Sequence, residues 1–341
     1  MKKAIFRFAA VTLLISLLLS LCSCSSAGGS PASFGSGKDA VGINEEELRY
    51  FFLGSFYDCL GWPESEGKTD SELAEDAFVL MEDALRYFGA VRYLCAKYGI
   101  TGSSIIESEV ENTVASYKKM KGDGFDEWLA SANLSEELLR TLLTQQEIEM
   151  TLRAYCAEEA SGVIPSDDAT VEADAHRNFY RAVQILISEK TPEGKAEAEE
   201  YLSRALAGED FDDLIRDFND RHNYTGGTDG YCFTDGQMIA PFEEAVKKTE
   251  PDAVYPEVVE SEAGYHVIKR LVLTDEYIDE NFTTIRNNYK TRRFNELLAA
   301  CEEENGLTFG KDFSTAEKLL ERYADRVAAV KEKARNDANA E

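Results

Sequence analysis

Apolar residues recur at helical spacing through the first half of the chain. Between residues 43 and 159 they fall three or four positions apart, a spacing typical of amphipathic helices. One stripe joins Met81, Leu85, Phe88, Val91 and Cys95, and another joins Ile106, Val110, Val114 and Tyr117. Glycine-rich segments, YGITGSS and KGDGF, separate the helices. The pattern predicts an all-helical N-terminal domain over residues 43–165.

The pattern changes after a polar break at residues 165–170. The run RAVQILI, residues 181–187, predicts a buried strand, and Thr191-Pro192 predicts a helix with threonine as its cap. The elements expected after that helix are a short helix ending at Phe218, a strand at 231–233, a helix at 240–249 and strands at 257–261 and 265–273. The order β-α-α-β-α-β-β defines an α+β unit over residues 176–273.

Helical spacing returns from Asp275 onwards. One stripe joins Ile278, Phe282, Ile285, Tyr289, Leu297 and Cys301. Because such a stripe must be buried against another element, we expect it to pack on the N-terminal helices. The predicted fold class is therefore α+β, with a helical lobe built from residues 43–165 and 274–341 and the unit 176–273 inserted between them.

The first residues are typical of a secretory signal peptide. A basic start precedes an apolar run, residues 8–21, that is shorter than the roughly 20 residues of a spanning helix. A permanent transmembrane anchor is the alternative. The sequence LCSC at residues 21–24 resembles the lipobox of bacterial lipoproteins. This resemblance implies a signal peptide of residues 1–23, lipidation of Cys24, and a Ser/Gly-rich tether over residues 24–42 that ties the protein to a membrane outside the cytoplasm.

Composition excludes two classes of site or partner. The net charge of -28, from 36 Lys+Arg against 64 Asp+Glu, would repel a phosphate backbone, so no nucleic-acid partner is expected. The cysteines are widely spaced, with no CxxC pair and no clustered histidines, so no zinc site, and no other metal or cofactor, is predicted. Disulfide pairing stays open for Cys59, Cys95, Cys156, Cys232 and Cys301.

Four pieces of the unit 176–273 resemble the parvulin family of peptidyl-prolyl isomerases. In order they are RAVQILI, LAGEDFDDLIRDF, GGTDGYCFTDGQMIAPFEEAV and ESEAGYHVIKRL. The third piece carries the turn glycines and the Gly-x-Met-x-x-x-Phe pattern of the family, and the fourth carries its Gly-aromatic-His pattern. The flanking helices resemble those of PrsA- and SurA-type extracytoplasmic foldases. The resemblance implies a parvulin-like fold and isomerisation of X–Pro bonds.

The resemblance also implies a site. Met238 and Phe242 match the residues of the family's proline pocket, and their i, i+4 spacing allows them to line one side of it. His266 matches one of two paired family histidines, and Gln184 occupies the position of the other. Ser261 matches the hydroxyl residue that steadies the pair. For Met238, Phe242 and His266, ordinary core packing is the alternative.

The acidic or cysteine position ahead of the glycine turn is nearest to Asp220. Because the loop up to Gly226 is about one residue short, Arg221 or His222 are alternatives, and Asp220 would then be a solvated charge. No basic cluster follows Ile187, so selectivity for phosphorylated Ser/Thr-Pro is not expected.

Two functional hypotheses follow. In the first, the protein is an extracytoplasmic folding factor that isomerises X–Pro bonds in secreted clients. In the second, which Gln184 favours, it is a chaperone whose weak or inactive parvulin unit only binds unfolded clients. A lipid-anchored solute-binding protein would need a long α/β pattern that this sequence lacks.

Overall fold

The structure is a computed structural model that describes residues 30–37, 40–222, 224 and 227–338. The predicted signal peptide, Cys24 and Gly226 lie outside the described residues. The described chain divides into two compact units. One unit, the helical lobe, contains the described residues up to Cys156 and from Glu296 onwards, and the second unit is residues 157–295.

The helical lobe begins with two short antiparallel strands, β1 (Ala32–Phe34) and β2 (Val41–Ile43). Its helices then follow in the order α1 (Glu45–Leu60), α2 (Asp70–Tyr98), α3 (Ser104–Lys121), α4 (Phe125–Ser131) and α5 (Glu136–Ala157). Asn44 and Glu47 form a capping box at the start of α1, in which each side chain accepts the backbone N–H of the other residue. The buried Glu47 carboxylate also pairs with Arg92 at 2.6 Å, which ties α1 to α2.

The second unit is an α+β domain, and the predicted fold class is confirmed. Its elements are α6 (Asp168–Asn178), β3 (Phe179–Ile187), α7 (Pro192–Leu206), α8 (Phe211–His222), β4 (Tyr231–Thr234), α9 (Ala240–Lys248), β5 (Val259–Ser261), β6 (Gly264–Leu271) and α10 (Asp275–Glu280). The strands form one antiparallel sheet in the order β4-β3-β6-β5.

Helices cover this sheet on two faces. Because strand side chains alternate, odd-numbered residues of β3 such as Val183 and Ile185 pack with α7 and α8. The even-numbered Ala182 instead packs with Phe233 of β4, Ile268 of β6 and α9. Gln184 pairs in register with Ile268, and His266 pairs with Leu186. Gln184 and His266 therefore lie on the same face of the sheet as α9.

The chain returns to the helical lobe only at Glu296, so the part of the predicted stripe from Ile278 to Tyr289 belongs to the second unit. After α11 (Phe282–Glu304) come β7 (Leu307–Phe309), α12 (Ala316–Arg322) and α13 (Ala324–Ala338). Strand β7 pairs with β1 and completes a three-stranded sheet that the sequence pattern does not predict. Leu319 and Val327 share one buried core with Phe52 and Met81. Both ends of the described chain thus contribute to one hydrophobic core. Within the described ranges, no helix has the length and apolarity that a membrane crossing requires.

Candidate functional site

A buried histidine lies at the centre of the α9 face of the domain. His266, on β6, is only 1% exposed. Its Nδ1 is 2.6 Å from Oε1 of Gln184 on β3, and its Nε2 is 2.6 Å from Oγ of Ser261 on β5. Three strands therefore supply a continuous polar chain, Ser261–His266–Gln184, in the middle of an otherwise apolar face.

The hydrogen bonds determine where the protons of this chain lie. Gln184 Oε1 can only accept, so the hydrogen that it shares with His266 lies on Nδ1. In the neutral ring Nε2 then accepts from the Ser261 hydroxyl, whose oxygen also accepts the backbone N–H of Ala263 at 3.0 Å. Burial lowers the pKa of His266, which favours the same neutral imidazole.

This arrangement leaves the amide nitrogen of Gln184 as a donor. Its oxygen already accepts from His266, and no group among the described residues bonds its nitrogen. The side chain is half-buried, so the amide is accessible at the edge of the polar chain. A bound peptide would therefore meet an N–H donor at Gln184.

An apolar floor adjoins the polar chain. Phe242 of α9 is 1% exposed, and its ring centroid lies 6.0 Å from that of His266 in an edge-on arrangement. Phe242 also contacts Tyr231 and Phe233 of β4, at centroid distances of 6.3 and 5.9 Å. Met238, partly buried, packs against the same cluster. These residues form an apolar cluster beside the polar chain, in which Tyr231 is exposed and Met238 is partly buried.

Two glycines allow the strands to approach closely enough for this arrangement. A Cβ at Gly264, where φ is +136°, would lie 2.1 Å from the carbonyl oxygen of Ile187. A Cβ at Gly230, where φ is +72°, would lie 2.3 Å from the carbonyl oxygen of Ala182. Side chains at either position would push β6 or β4 away from β3. The family glycines of the sequence motif therefore have a geometric role in the sheet.

Asp220 is not part of this cluster. It is exposed on α8, whose Leu214, Ile215 and Phe218 pack against the opposite face of the sheet. Its two alternatives are engaged elsewhere as well. Arg221 pairs with Asp217 at 3.0 Å, and His222 lies 2.9 Å from Glu197 and 4.4 Å, between centroids, from Phe218. The structure thus brings together His266, Gln184, Ser261, Met238 and Phe242, but not Asp220.

One residue of the site has no counterpart in the sequence analysis. Glu243 follows Phe242 in α9, is 8% exposed, and accepts backbone hydrogen bonds from the turn that leads to Met238. Its i, i+4 spacing to Lys247 is a sequence sign of pairing, but Glu244 and Lys248 show the same spacing at the surface. Within the described part of the chain, no group of three or more His, Cys, Asp or Glu residues is placed to hold a metal ion.

Comparison with known proteins identifies this domain. Residues 170–272 match the family model of the PPIC-type PPIase domain. The matched range contains the whole sheet, α7 to α9 and all five clustered residues. Residues 170–272 are a PPIC-type PPIase domain. The predicted resemblance to the parvulin family is confirmed for this part of the chain.

Proteins similar to this chain include foldases and chaperones. Foldase protein PrsA of Bacillus subtilis is 23% identical over 220 residues, which cover 63% of this chain and 70% of that protein. Chaperone SurA of Ralstonia nicotianae is 24% identical over 173 residues, 49% of this chain and 32% of that protein. The crystal structure of PrsA from Bacillus anthracis covers 65% of this chain and 97% of its own, with 21% identity and a TM-score of 0.32. The chain thus spans only about a third of the length of the SurA relative.

The neutral, buried His266 should make the PPIC-type domain less stable in mild acid. Its pKa is lowered by burial, so below the usual histidine value of about 6.5 the unfolded chain takes up a proton that the folded domain resists. The stabilisation that neutral His266 gives to the folded domain is complete above that pH. It is lost as the pH falls towards the lowered pKa of the folded state. Urea unfolding across this pH range should show a smaller pH slope for His266→Gln than for the wild type. His176→Gln, a change at a half-exposed histidine, is the control, and an unchanged slope in His266→Gln would contradict the assignment.

Proposed function

We propose that this chain is an extracytoplasmic folding factor that catalyses cis/trans isomerisation of X–Pro bonds in secreted proteins. The observation that carries the proposal is the polar chain Ser261–His266–Gln184 beside the apolar floor of Phe242 and Met238, within a PPIC-type PPIase domain. The foldase and chaperone names of the relatives support the wider role.

The geometry suits a rotation rather than a bond cleavage. The peptide C–N bond has partial double-bond character, with a rotation barrier of roughly 18–20 kcal/mol. In the twisted transition state the prolyl nitrogen is pyramidal and its lone pair is localised. A donor such as the Gln184 amide binds that lone pair better than the delocalised planar amide, and such differential binding lowers the barrier. The apolar floor holds the pyrrolidine ring in place while the peptide turns.

The neutral histidine has a positioning role in this scheme. Its Nδ1–H holds the oxygen of Gln184, and the Ser261 hydroxyl holds its Nε2. Gln184, in place of a second imidazole, then presents N–H to the substrate without any proton transfer. Ser261 and His266 therefore orient the amide that interacts with the peptide.

A second function, client binding without catalysis, is favoured by a different observation. Tyr231, whose ring contacts Phe242, and Ile239, which follows Met238 in sequence, are 47% and 46% exposed. An apolar surface of this kind binds unfolded segments whether or not they contain a twisted proline bond. The two functions differ only in whether a bound X–Pro bond isomerises faster than in solution.

A protease-coupled isomerisation assay on the mature chain tests the proposal. We expect the cis fraction of an X–Pro peptide to convert at a rate that increases in proportion to the protein concentration. Tight peptide binding with no acceleration would support the binding-only function instead. Neither binding nor acceleration would exclude both.

We further propose that the mature protein is lipidated at Cys24, with residues 1–23 removed. The support is the LCSC sequence after a short apolar run. Intact-mass spectrometry of membrane-extracted protein should show a diacylated N-terminal cysteine. Cys24→Ala is expected to leave the protein unlipidated and to release it from the membrane fraction. A mature N-terminus at another residue would contradict this proposal.

A further inference from the structure

A buried carboxylate links α9 to the turn that carries Met238. Glu243 Oε2 accepts the Gly236 backbone N–H at 2.9 Å, and its Oε1 lies 3.2 Å from the same nitrogen. The backbone nitrogen of Met238 lies 3.5 Å from Oε2, at the long limit of a hydrogen bond. Lys247, one helical turn further along, donates to Oε1 at 2.7 Å. The three described hydrogen-bond partners of the carboxylate are therefore all donors.

The same turn is fastened at two further points. We name residues 234–238 the Met238 turn. Lys247 reaches from α9 to Asp235 of this turn at 2.9 Å. Within the turn, Gln237 Oε1 accepts the backbone N–H of Thr234 at 2.9 Å, and Gly236 has a φ of +79°. Glu243 and Lys247 thus hold the turn against α9 as a connected network of charges.

The Met238 turn has little other support on its outer side. Asp235, Gly236 and Gln237 are exposed, whereas Met238 packs inward against the cluster of Phe242. The position of the Met238 wall of the pocket therefore depends on the bonds to Glu243. An acceptor-only group is needed here, because a glutamine amide would direct N–H at Gly236 or Lys247.

We infer that Glu243 is a positioning residue that places the Met238 wall of the proline pocket. The inference rests on the proposed function of the site, to which it adds a residue that does not touch the substrate. Glu243 acts through the backbone of the Met238 turn, and the substrate contact is made by Met238.

The test compares two neighbouring acids of the same helix. We expect Glu243→Gln to raise KM for an X–Pro peptide about tenfold, the effect of losing a charge-assisted hydrogen bond, with a smaller change in kcat. Glu244→Gln is the matched control, because Glu244 forms the same i, i+4 pair with Lys248 but at the surface, 3.4 Å apart with both side chains more than 60% exposed. The control should leave KM unchanged.

A double-mutant cycle separates positioning from a general loss of stability. If Glu243 acts through Met238, the effects of Glu243→Gln and Met238→Ala on KM should not add, because the second change removes what the first displaces. The Gly236 amide resonance should shift in Glu243→Gln and not in Glu244→Gln. Additive effects on KM, or a wild-type KM in Glu243→Gln, would overturn the inference.

A replacement variant and a replacement measurement are available if the first test cannot be made. If Glu243→Gln does not fold, Lys247→Met replaces it, since this change keeps the carboxylate but removes the cation shared with Asp235. It too should raise KM, and an unchanged KM would count against the network.

If the wild type binds peptide without catalysis, the dissociation constant replaces KM. A larger Kd for Glu243→Gln would then support the positioning role. The isomerase proposal would fail separately, because the wild type does not catalyse.

Discussion

Phe242→Ala is expected to remove most X–Pro isomerisation, lowering kcat/KM by about 100-fold or more, because positioning of the reacting group accounts for several kcal/mol of a barrier. Phe242 is 1% exposed and forms the floor of the site, with its ring beside His266 and next to Tyr231 and Phe233. Truncation would remove the floor beneath the proline ring and loosen both neighbouring rings. The measurement is the protease-coupled rate at equal folded fraction, together with peptide affinity.

A phenylalanine on the other face of the sheet provides the control. Phe211 of α8 is 4% exposed and packs against Val183 and Ile185, away from the polar chain. Both alanine variants should lose about 3–5 kcal/mol of the free energy of unfolding, as buried Phe→Ala changes do. Only Phe242→Ala should lose activity per folded molecule. Parallel losses of activity in the two variants would mean that Phe242 is ordinary core.

Gln184→Leu is expected to lower kcat by about 10- to 100-fold, because it removes the donor that binds the twisted amide. The change preserves side-chain volume but leaves the buried Nδ1–H of His266 without its acceptor, 2.6 Å away in the wild type. An unsatisfied buried donor costs about 1–3 kcal/mol, so a lower stability should accompany the lower rate. Rates are therefore compared at equal folded fraction.

A substitution that keeps an N–H donor at position 184 provides a second test. In Gln184→His, one ring nitrogen can accept from His266 while the other presents N–H to the peptide, as the glutamine amide does. We expect activity at or above that of the wild type. Asp220→Ala, at an exposed position on α8, should change the rate little. If Gln184→Leu and Gln184→His both keep the wild-type rate, or if Asp220→Ala loses activity, the site is centred elsewhere.

Local patterns predicted much of the α+β domain. Strand β3 is a run of branched and apolar residues, the start of α7 has its Thr191-Pro192 cap, and the observed order of elements is the predicted one. The three-stranded sheet of β1, β2 and β7 was not predicted. Its strands have only three residues each, too few for an alternating pattern, and β1 pairs with β7 across more than 270 positions of sequence.

The site residues also differ in how far the sequence predicts them. The i, i+4 spacing of Met238 and Phe242 predicts that they line one side of a pocket, although Met238 lies in the turn before α9, and His266 is marked by the glycine-aromatic pattern before it. Asp220 was proposed from its place in the chain, but α8 lies on the opposite face of the sheet from α9. A role for Asp220 depends on which face its helix covers, and no local pattern encodes that.

By itself, the sequence determined the helical character of the lobe, the order of elements in the α+β domain, the alternation that separates the two faces of its sheet, and the residue types available for a prolyl isomerase site. These follow from spacing, capping and motif, which act over a few residues. Only the tertiary structure decided that burial lowers the pKa of His266, that its Nδ1 faces the acceptor oxygen of Gln184, and that Glu243 is buried while Glu244 is not. The physical reason is that protonation, hydrogen-bond direction and burial depend on groups brought together from β3, β5, β6 and α9, and distant parts of the chain meet only when the sheet has formed.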